Sequence, residues 1–135
     1  MTVTATLKWI DGLQFVGRVG DGPAVVLDSH EGGSGPSPME LLLLGIGGCT
    51  AMDVISILQK KRAQVSGLEI NLSGERAEEH PKRYTKVHVE YVVYGKEIKS
   101  ADVERAIELS ETKYCSAMAS VNAELSSSYR IIERP

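Results

Sequence analysis

The stretch PSPMELLLLGIGGCTAMDVISILQKKR, residues 36–62, decides the fold of this chain. Ser37, Pro38 and Glu40 follow the pattern of a helix capping box, and the cations of QKKR suit the C-terminal end of a helix. We therefore predict a helix over residues 38–62. Four consecutive leucines, residues 41–44, spread around its circumference at about 100° per residue. A helix that is apolar on all sides must be covered on all sides.

Three structures could cover such a helix. A transmembrane span fits the length, but Asp53 near its middle and the strand-like segments around it argue against a membrane. A core helix lying on its own sheet explains only one apolar side. An intertwined homodimer covers the other side as well, and Gly45, Gly47 and Gly48 would let a second backbone approach closely. We favour the homodimer.

Length and composition bound the remaining possibilities. A chain of 135 residues is most simply one domain, residues 1–135. Its net charge of −3 provides no electrostatic surface for nucleic acid. Residues 1–10 lack the basic start and apolar run of a signal peptide, so we expect a cytoplasmic protein.

The rest of the chain alternates between strand and helix patterns. Strands are expected over residues 3–10, 13–19, 24–28, 68–76 and 84–94, with a hairpin turn at Asp11 and Gly12. Ser100 is expected to cap a second helix from Ala101, and a last strand should end near Ile132. This order indicates an α+β fold, an antiparallel sheet with helices on one face. The expected buried set of the fifth strand is Thr85, Val87, Val89, Tyr91 and Val93.

The two cysteines, Cys49 and Cys115, are 66 positions apart, and neither belongs to a CxxC motif, which disfavours a zinc site of paired thiolates. Cys49 either packs in the core or reacts, and reaction would need a nearby cation or hydrogen-bond donor. Cys115 has two possible settings. If the chain breaks near Tyr114, Cys115 begins a new helix, which favours the thiolate. If one helix runs over residues 101–125, Cys115 is an ordinary mid-helix residue.

The segments PSPMELLLLGIGGC and, much later, KYCS resemble the OsmC/Ohr superfamily of osmotically inducible and organic hydroperoxide resistance proteins. The resemblance spans essentially the whole chain. CTAMDVISILQKKR and ELSETKYCS look most like an OsmC-like branch outside the best-studied peroxidases. The resemblance implies an OsmC-like fold with a long central helix, and an intertwined homodimer with two sites at the subunit interface.

The resemblance also implies thiol peroxidase chemistry. Cys49 would attack a hydroperoxide, Cys115 would resolve the sulfenic acid as a disulfide, and Glu40 would supply a carboxylate. An external dithiol, lipoyl or thioredoxin-like, would reduce the disulfide, and neither a metal nor an organic cofactor is implied. Met39 and Ile10 stand where the family's peroxidases have their Glu and Arg.

Two further functions compete with the peroxidase. The same dimer could bind a small apolar ligand or act as a redox sensor without being an enzyme. Acyl transfer by a cysteine with a histidine base is disfavoured, because neither His80 nor His88 has an identifiable orienting partner. The apolar residues 41–46 would favour an organic hydroperoxide over hydrogen peroxide as the substrate.

Overall fold

The first unit of the chain, Met1–Leu42, is built around a hairpin. The computed structural model describes residues 1–135. Strands β1 (Ala5–Asp11) and β2 (Gln14–Val19) pair antiparallel, and Gly12 turns the chain between them with a φ of +54°. Strand β3 (Val25–Leu27) pairs antiparallel with β2. The three predicted N-terminal strands are therefore confirmed.

The loop after β3 is held by one carboxylate. Asp28 accepts hydrogen bonds from the Ser29 N–H at 2.7 Å and from the Ser34 hydroxyl at 2.6 Å. These bonds, the Ser34 hydroxyl first, lower the pKa of Asp28. Gly32 lies so close to this carboxylate that a Cβ would collide with it.

Helix α1 (Pro38–Lys60) begins with the predicted capping box. The Ser37 N–H donates to Glu40 Oε1 at 2.9 Å, and the Glu40 N–H donates to Ser37 Oγ at 3.2 Å. The helix continues into the second unit, Leu43–Pro135, and the prediction of one domain over residues 1–135 stays a prediction. By length and composition alone α1 could cross a membrane, but it buries one side in the second unit. That side consists of Ile46, Gly47, Thr50, Val54 and Leu58.

A second three-stranded sheet supports the buried side of α1. Strands β4 (Gln64–Arg76) and β5 (Tyr84–Lys96) pair antiparallel, whereas β6 (Glu124–Glu133) runs parallel to β5. The expectation of one antiparallel sheet is therefore wrong, because the strands form two sheets and β6 is parallel to its neighbour. The connection from β5 to β6 contains a helix, and such crossovers are what parallel neighbours require.

The core of the second unit follows the predicted alternation of β5 in part, because Val92, outside the expected set, is also completely buried. Four of the five expected residues are buried, and the fifth, Thr85, is half-buried. The buried four are Val87, Val89, Tyr91 and Val93. Helix α2 (Ser100–Leu109) adds Val103 and Ile107 to this core. Ser100 is not its cap as predicted, because the capping position is Lys99, which makes no side-chain bond there.

Candidate active site

Cys49 lies halfway along α1, at the border between the buried and exposed sides of the helix. The next residue, Thr50, is completely buried, whereas the preceding Gly48 is exposed. Cys49 itself is half-buried and forms no disulfide. A thiol in this position is partly enclosed by the core and still open to a small solute.

Cys115 follows a break in the helical chain. After α2 the backbone forms a π-helical turn, Ser110–Tyr114, and Cys115 is extended, with φ −73° and ψ 97°. The Cys115 N–H donates to the Ser110 carbonyl oxygen at 2.7 Å, and a short helix α3 (Ser116–Ala119) follows. Of the two settings that the sequence left open, the structure therefore shows the break.

The fold brings the two cysteines together beside a carboxylate. The sulfur of Cys49, the sulfur of Cys115 and a carboxylate oxygen of Asp53 all lie within 4.8 Å of one another. Asp53 is four residues after Cys49 on α1, which places both side chains on one side of the helix. Since a disulfide joins sulfurs at about 2 Å, a modest movement would bring the two thiols into bonding range.

Burial distinguishes Cys115 from Cys49. Cys115 is 5% exposed, and its burial raises the pKa of its thiol to about 11. The neighbouring Cys49 sulfur and the Asp53 charge act in the same direction, while the Met118 N–H opposes them. The Cys115 thiol is therefore protonated at neutral pH.

A chain of buried hydroxyl groups begins at Asp53. The Ser110 hydroxyl donates to Asp53 Oδ2 at 2.9 Å, and Ser110 Oγ lies 2.8 Å from Thr50 Oγ1. Thr50 Oγ1 is 2.7 Å from the Tyr91 hydroxyl, which donates to Glu111 Oε2 at 2.8 Å. Burial foremost, and then Glu111, raise the pKa of Tyr91. The chain joins α1, β5 and the π-helical turn around the two thiols.

Glu40, the third predicted site residue, lies apart from the thiols. Glu40 serves the capping box, and on a continuous helix it is nine residues, about 13 Å, from Cys49. Lys113, two residues before Cys115, lines the same cleft as Cys115, and its ammonium lies over the ring of Tyr114 at 5.2 Å. The ring nitrogens of His88 contact serine hydroxyls on β6 at 2.8 and 3.0 Å.

Cys49, Asp53 and Cys115 are also the three side chains whose donor atoms lie close enough together to hold a metal ion. Three donors are one fewer than the four protein ligands of a structural zinc site and equal the number in a catalytic zinc site. Asp53 also accepts the Ser110 hydroxyl, and Cys115 is buried.

Sequence reasoning did not find the hydroxyl chain. Thr50 and Ser110 are 60 residues apart, and isolated serines and threonines carry no motif. One signal was present, because Ser110 falls at helical spacing after Val103 and Ile107 and so belongs to the buried side. A hydroxyl on that side requires a hydrogen-bond partner.

Comparison with known proteins places this chain in a family. The family model for OsmC-like proteins matches residues 31–129, so the chain belongs to the OsmC-like family, which confirms the resemblance drawn from its motifs. Among curated proteins it is 41% identical over 130 residues to Protein YhfA of Escherichia coli K12. That alignment covers 95% of this chain and 97% of YhfA.

Solved structures agree with this assignment. A crystal structure of a hypothetical protein from Aquifex aeolicus matches with a TM-score of 0.90 and 32% identity, covering 100% of this chain and 99% of the other. The organic hydroperoxide resistance protein OhrB of Bacillus subtilis matches with a TM-score of 0.62 and 14% identity, covering 97% and 98%. The second likeness shows a shared fold.

Proposed function

We propose that the protein is a thiol-dependent hydroperoxide reductase of the oxidative or osmotic stress response. The observation that carries this proposal is the meeting of the Cys49 and Cys115 sulfurs within 4.8 Å, although the residues are 66 positions apart in the chain. Membership of the OsmC-like family and the shared fold with a hydroperoxide resistance protein support it.

The difference in burial supports the roles that this proposal gives to the two thiols. Cys49 is the more exposed, so it attacks the distal oxygen of the hydroperoxide, giving a cysteine sulfenic acid and an alcohol. Cys115 is buried and protonated, so it condenses with the sulfenic acid in the second step, giving a disulfide and water. An external dithiol, lipoyl or thioredoxin-like, restores both thiols.

The working form in this proposal is a cytoplasmic homodimer, with neither a membrane nor a nucleic acid as partner. One side of α1 in the second unit carries the exposed apolar side chains Leu44 (60% exposed) and Met52 (73%). Gly45 and Gly48 lie on the same side, and a Cβ on either glycine would meet nothing within 4 Å. A second copy of the chain would cover this surface.

The test is oxidation of the reduced protein by cumene hydroperoxide, with free thiols counted over time. Loss of two thiols per chain, much faster than oxidation of free cysteine, is expected for the wild type. Cys49→Ser should abolish the reaction. Cys115→Ser should lose one thiol and accumulate a sulfenic acid that dimedone traps. Oxidation of the wild type no faster than that of free cysteine would refute the proposal.

A second candidate function, binding of a small apolar ligand, is favoured by a cavity in the first unit. The cavity, about 380 Å³, is lined mainly by the apolar side chains Leu7, Leu13, Phe15 and Leu27. A fluorescent apolar probe should bind there. Phe15→Ser should weaken its binding, whereas Cys49→Ser should leave its binding unchanged. Probe binding together with slow oxidation of the protein by hydroperoxide would favour this function.

A further inference from the structure

The hydroxyl chain that begins at Asp53 is one hydrogen short when both of its ends are charged. Four oxygen–oxygen contacts of 2.7–2.9 Å connect Asp53, Ser110, Thr50, Tyr91 and Glu111 in that order. Each contact needs one hydrogen, and three hydroxyl groups supply three. With two ionised carboxylates, Ser110 and Tyr91 donate to the ends, and the single Thr50 hydrogen can serve only one of its two contacts.

A fourth proton on either carboxylate completes the chain. All four contacts are then hydrogen bonds, and all three hydroxyls point in the same direction. Ser110, Thr50 and Tyr91 are 0% exposed, so bulk water does not supply the missing hydrogen. Reversing the three hydroxyls moves the proton from one end of the chain to the other, while the heavy atoms stay in place.

The two ends of the chain have different surroundings. Asp53 faces the thiols of Cys49 and Cys115, and the groove beyond it includes Lys60 and Lys61. Glu111 is half-buried and also accepts a hydrogen bond from the exposed Ser127 of β6 at 3.1 Å. The cleft next to Glu111, about 120 Å³, is lined by Lys113 and Cys115 among other residues. Both ends are half-buried and line an open groove or cleft, and Asp53 is the end that also meets the two sulfurs.

We propose that Asp53 is the proton acceptor for the Cys49 thiol, and that the hydroxyls of Ser110, Thr50 and Tyr91 connect Asp53 with Glu111, where the proton reaches the surface. This inference rests on the proposed attack by Cys49. It gives the protein a means of forming the Cys49 thiolate.

Each step balances in protons and electrons. Asp53 takes the proton of the Cys49 thiol, the hydroxyls of Ser110, Thr50 and Tyr91 pass a proton on to Glu111, and the thiolate bonds to the distal peroxide oxygen as the O–O bond breaks. The sulfur is oxidised to a sulfenic acid, and the leaving alkoxide becomes the alcohol with a proton that returns along the same path from Glu111 to Asp53. In the second step the Cys115 proton passes to Asp53, and the departing hydroxide takes up a proton from the same path and leaves as water when the disulfide forms.

Asp53→Asn is the decisive variant, because it distinguishes a proton acceptor from a fixed charge. The amide oxygen can still accept the Ser110 hydroxyl, but the amide cannot take up a proton. A proton acceptor contributes about 10²-fold or more to a rate, so Cys49 oxidation by cumene hydroperoxide should slow on that order. If Asp53 acts only as a nearby negative charge, its removal favours the thiolate, and oxidation should become faster. Unchanged or faster oxidation overturns the proposal.

Glu111→Gln and Tyr91→Phe test the connection, with Glu108→Gln as the matched control. Glu108 is exposed, pairs with Arg105 and is not part of the hydroxyl chain. Both test variants should slow the oxidation of Cys49 by a smaller factor than Asp53→Asn does. The double variant should be no slower than either single variant, because each one interrupts the same path. Rates equal to that of Glu108→Gln overturn the connection. If Tyr91→Phe fails to fold, Glu111→Gln still decides the question.

Alkylation by iodoacetamide separates this inference from the proposed function. In a Cys115→Ser background Cys49 is the only thiol, and its alkylation needs no hydroperoxide. The same variants should slow alkylation at pH 7, and Glu108→Gln should not. If the wild type is not oxidised at a catalytic rate while these alkylation effects appear, the reductase assignment fails and the proton path stands. If oxidation is fast but the variants change neither reaction, only the proton path fails.

Discussion

The two thiols of the site differ at the scale of single residues. Cys115 is enclosed between the π-helical turn and α3, so its thiol loses the hydration that would stabilise a negative charge. Cys49 lies at the edge of the buried side of α1 and keeps partial access to solvent. A two-step thiol reaction needs this difference, since the attacking sulfur must meet the substrate first and the resolving sulfur must wait.

The pH dependence of Cys115 follows from its raised pKa of about 11. Below that value the thiolate fraction rises about tenfold for each pH unit. Alkylation of Cys115, followed by mass spectrometry of its peptide in the folded protein, should therefore increase about tenfold per unit from pH 7 to pH 9. A plateau below pH 9 would contradict the assignment of Cys115 as a protonated, waiting thiol.

Asp28 should make the first unit sensitive to acid. Hydrogen bonds from Ser34 and Ser29 lower its pKa in the folded state, so its stabilising effect is present above the unfolded value of about 3.9. That effect is lost as the pH falls through the folded value. Asp28→Asn should lower Tm at pH 7 and reduce the further fall of Tm between pH 5 and pH 2.5. Asp21→Asn, in an exposed turn, is the control, and an equal response of the two variants would refute this role.

The residue-scale site was only partly predictable. Cys49 and Cys115 are indicated by their motifs, because PSPMELLLLGIGGC and KYCS keep recognisable local patterns. The hydroxyl chain is not, since Thr50 and Tyr91 come from different elements and meet only through the packing of α1 on β5. A buried hydroxyl leaves no trace in the sequence unless its partner is already known.

At the scale of elements, local signals predicted the helices and strands well. Ser37 and Glu40 fix the start of α1, and the alternation of β4 and β5 gives their buried faces. The parallel pairing of β6 depends on the crossover through α2, which no local pattern encodes. The π-helical turn contains neither glycine nor proline, so the usual breaking signals were absent.

The capping box provides a prediction that separates stability from catalysis. Ser37→Ala should cost about 1 kcal/mol of unfolding free energy, because the Glu40 N–H loses its partner. Glu40→Gln should cost less, since glutamine also suits this position of a capping box. Denaturant unfolding measures both variants. If Glu40 takes part in catalysis, Glu40→Gln should slow hydroperoxide turnover while Ser37→Ala does not. Equal turnover rates for the two variants would show that Glu40 is not part of the site.

At the scale of the whole molecule, α1 keeps one apolar side exposed. The four leucines at residues 41–44 predicted an all-round apolar helix, and the structure buries one side of it in the second unit. Burying a large apolar side chain contributes about 1.5–3 kcal/mol, so leaving Leu44 and Met52 in water forfeits a comparable amount. The sequence of one chain predicts that the apolar side of α1 must be covered, whereas the surface that covers it belongs to a second chain in the proposed dimer.

Gly45 and Gly48 allow the dimer to be tested by the sign of a stability change. In an isolated chain Gly45→Ala should stabilise α1 by about 0.8–1.0 kcal/mol, because a Cβ there meets nothing within 4 Å. If a second backbone approaches this side, the same change should destabilise the protein, and Gly48→Leu should convert dimers to monomers in sedimentation equilibrium. We expect Gly45→Ala to destabilise the protein and Gly48→Leu to break the dimer, and we expect the wild-type Tm to rise with protein concentration.

The control for the dimer is Glu108→Leu, an apolar change on exposed α2, which should leave the assembly intact. A monomeric wild type that Gly45→Ala stabilises would show that α1 keeps its exposed side uncovered, and the intertwined homodimer would then be wrong.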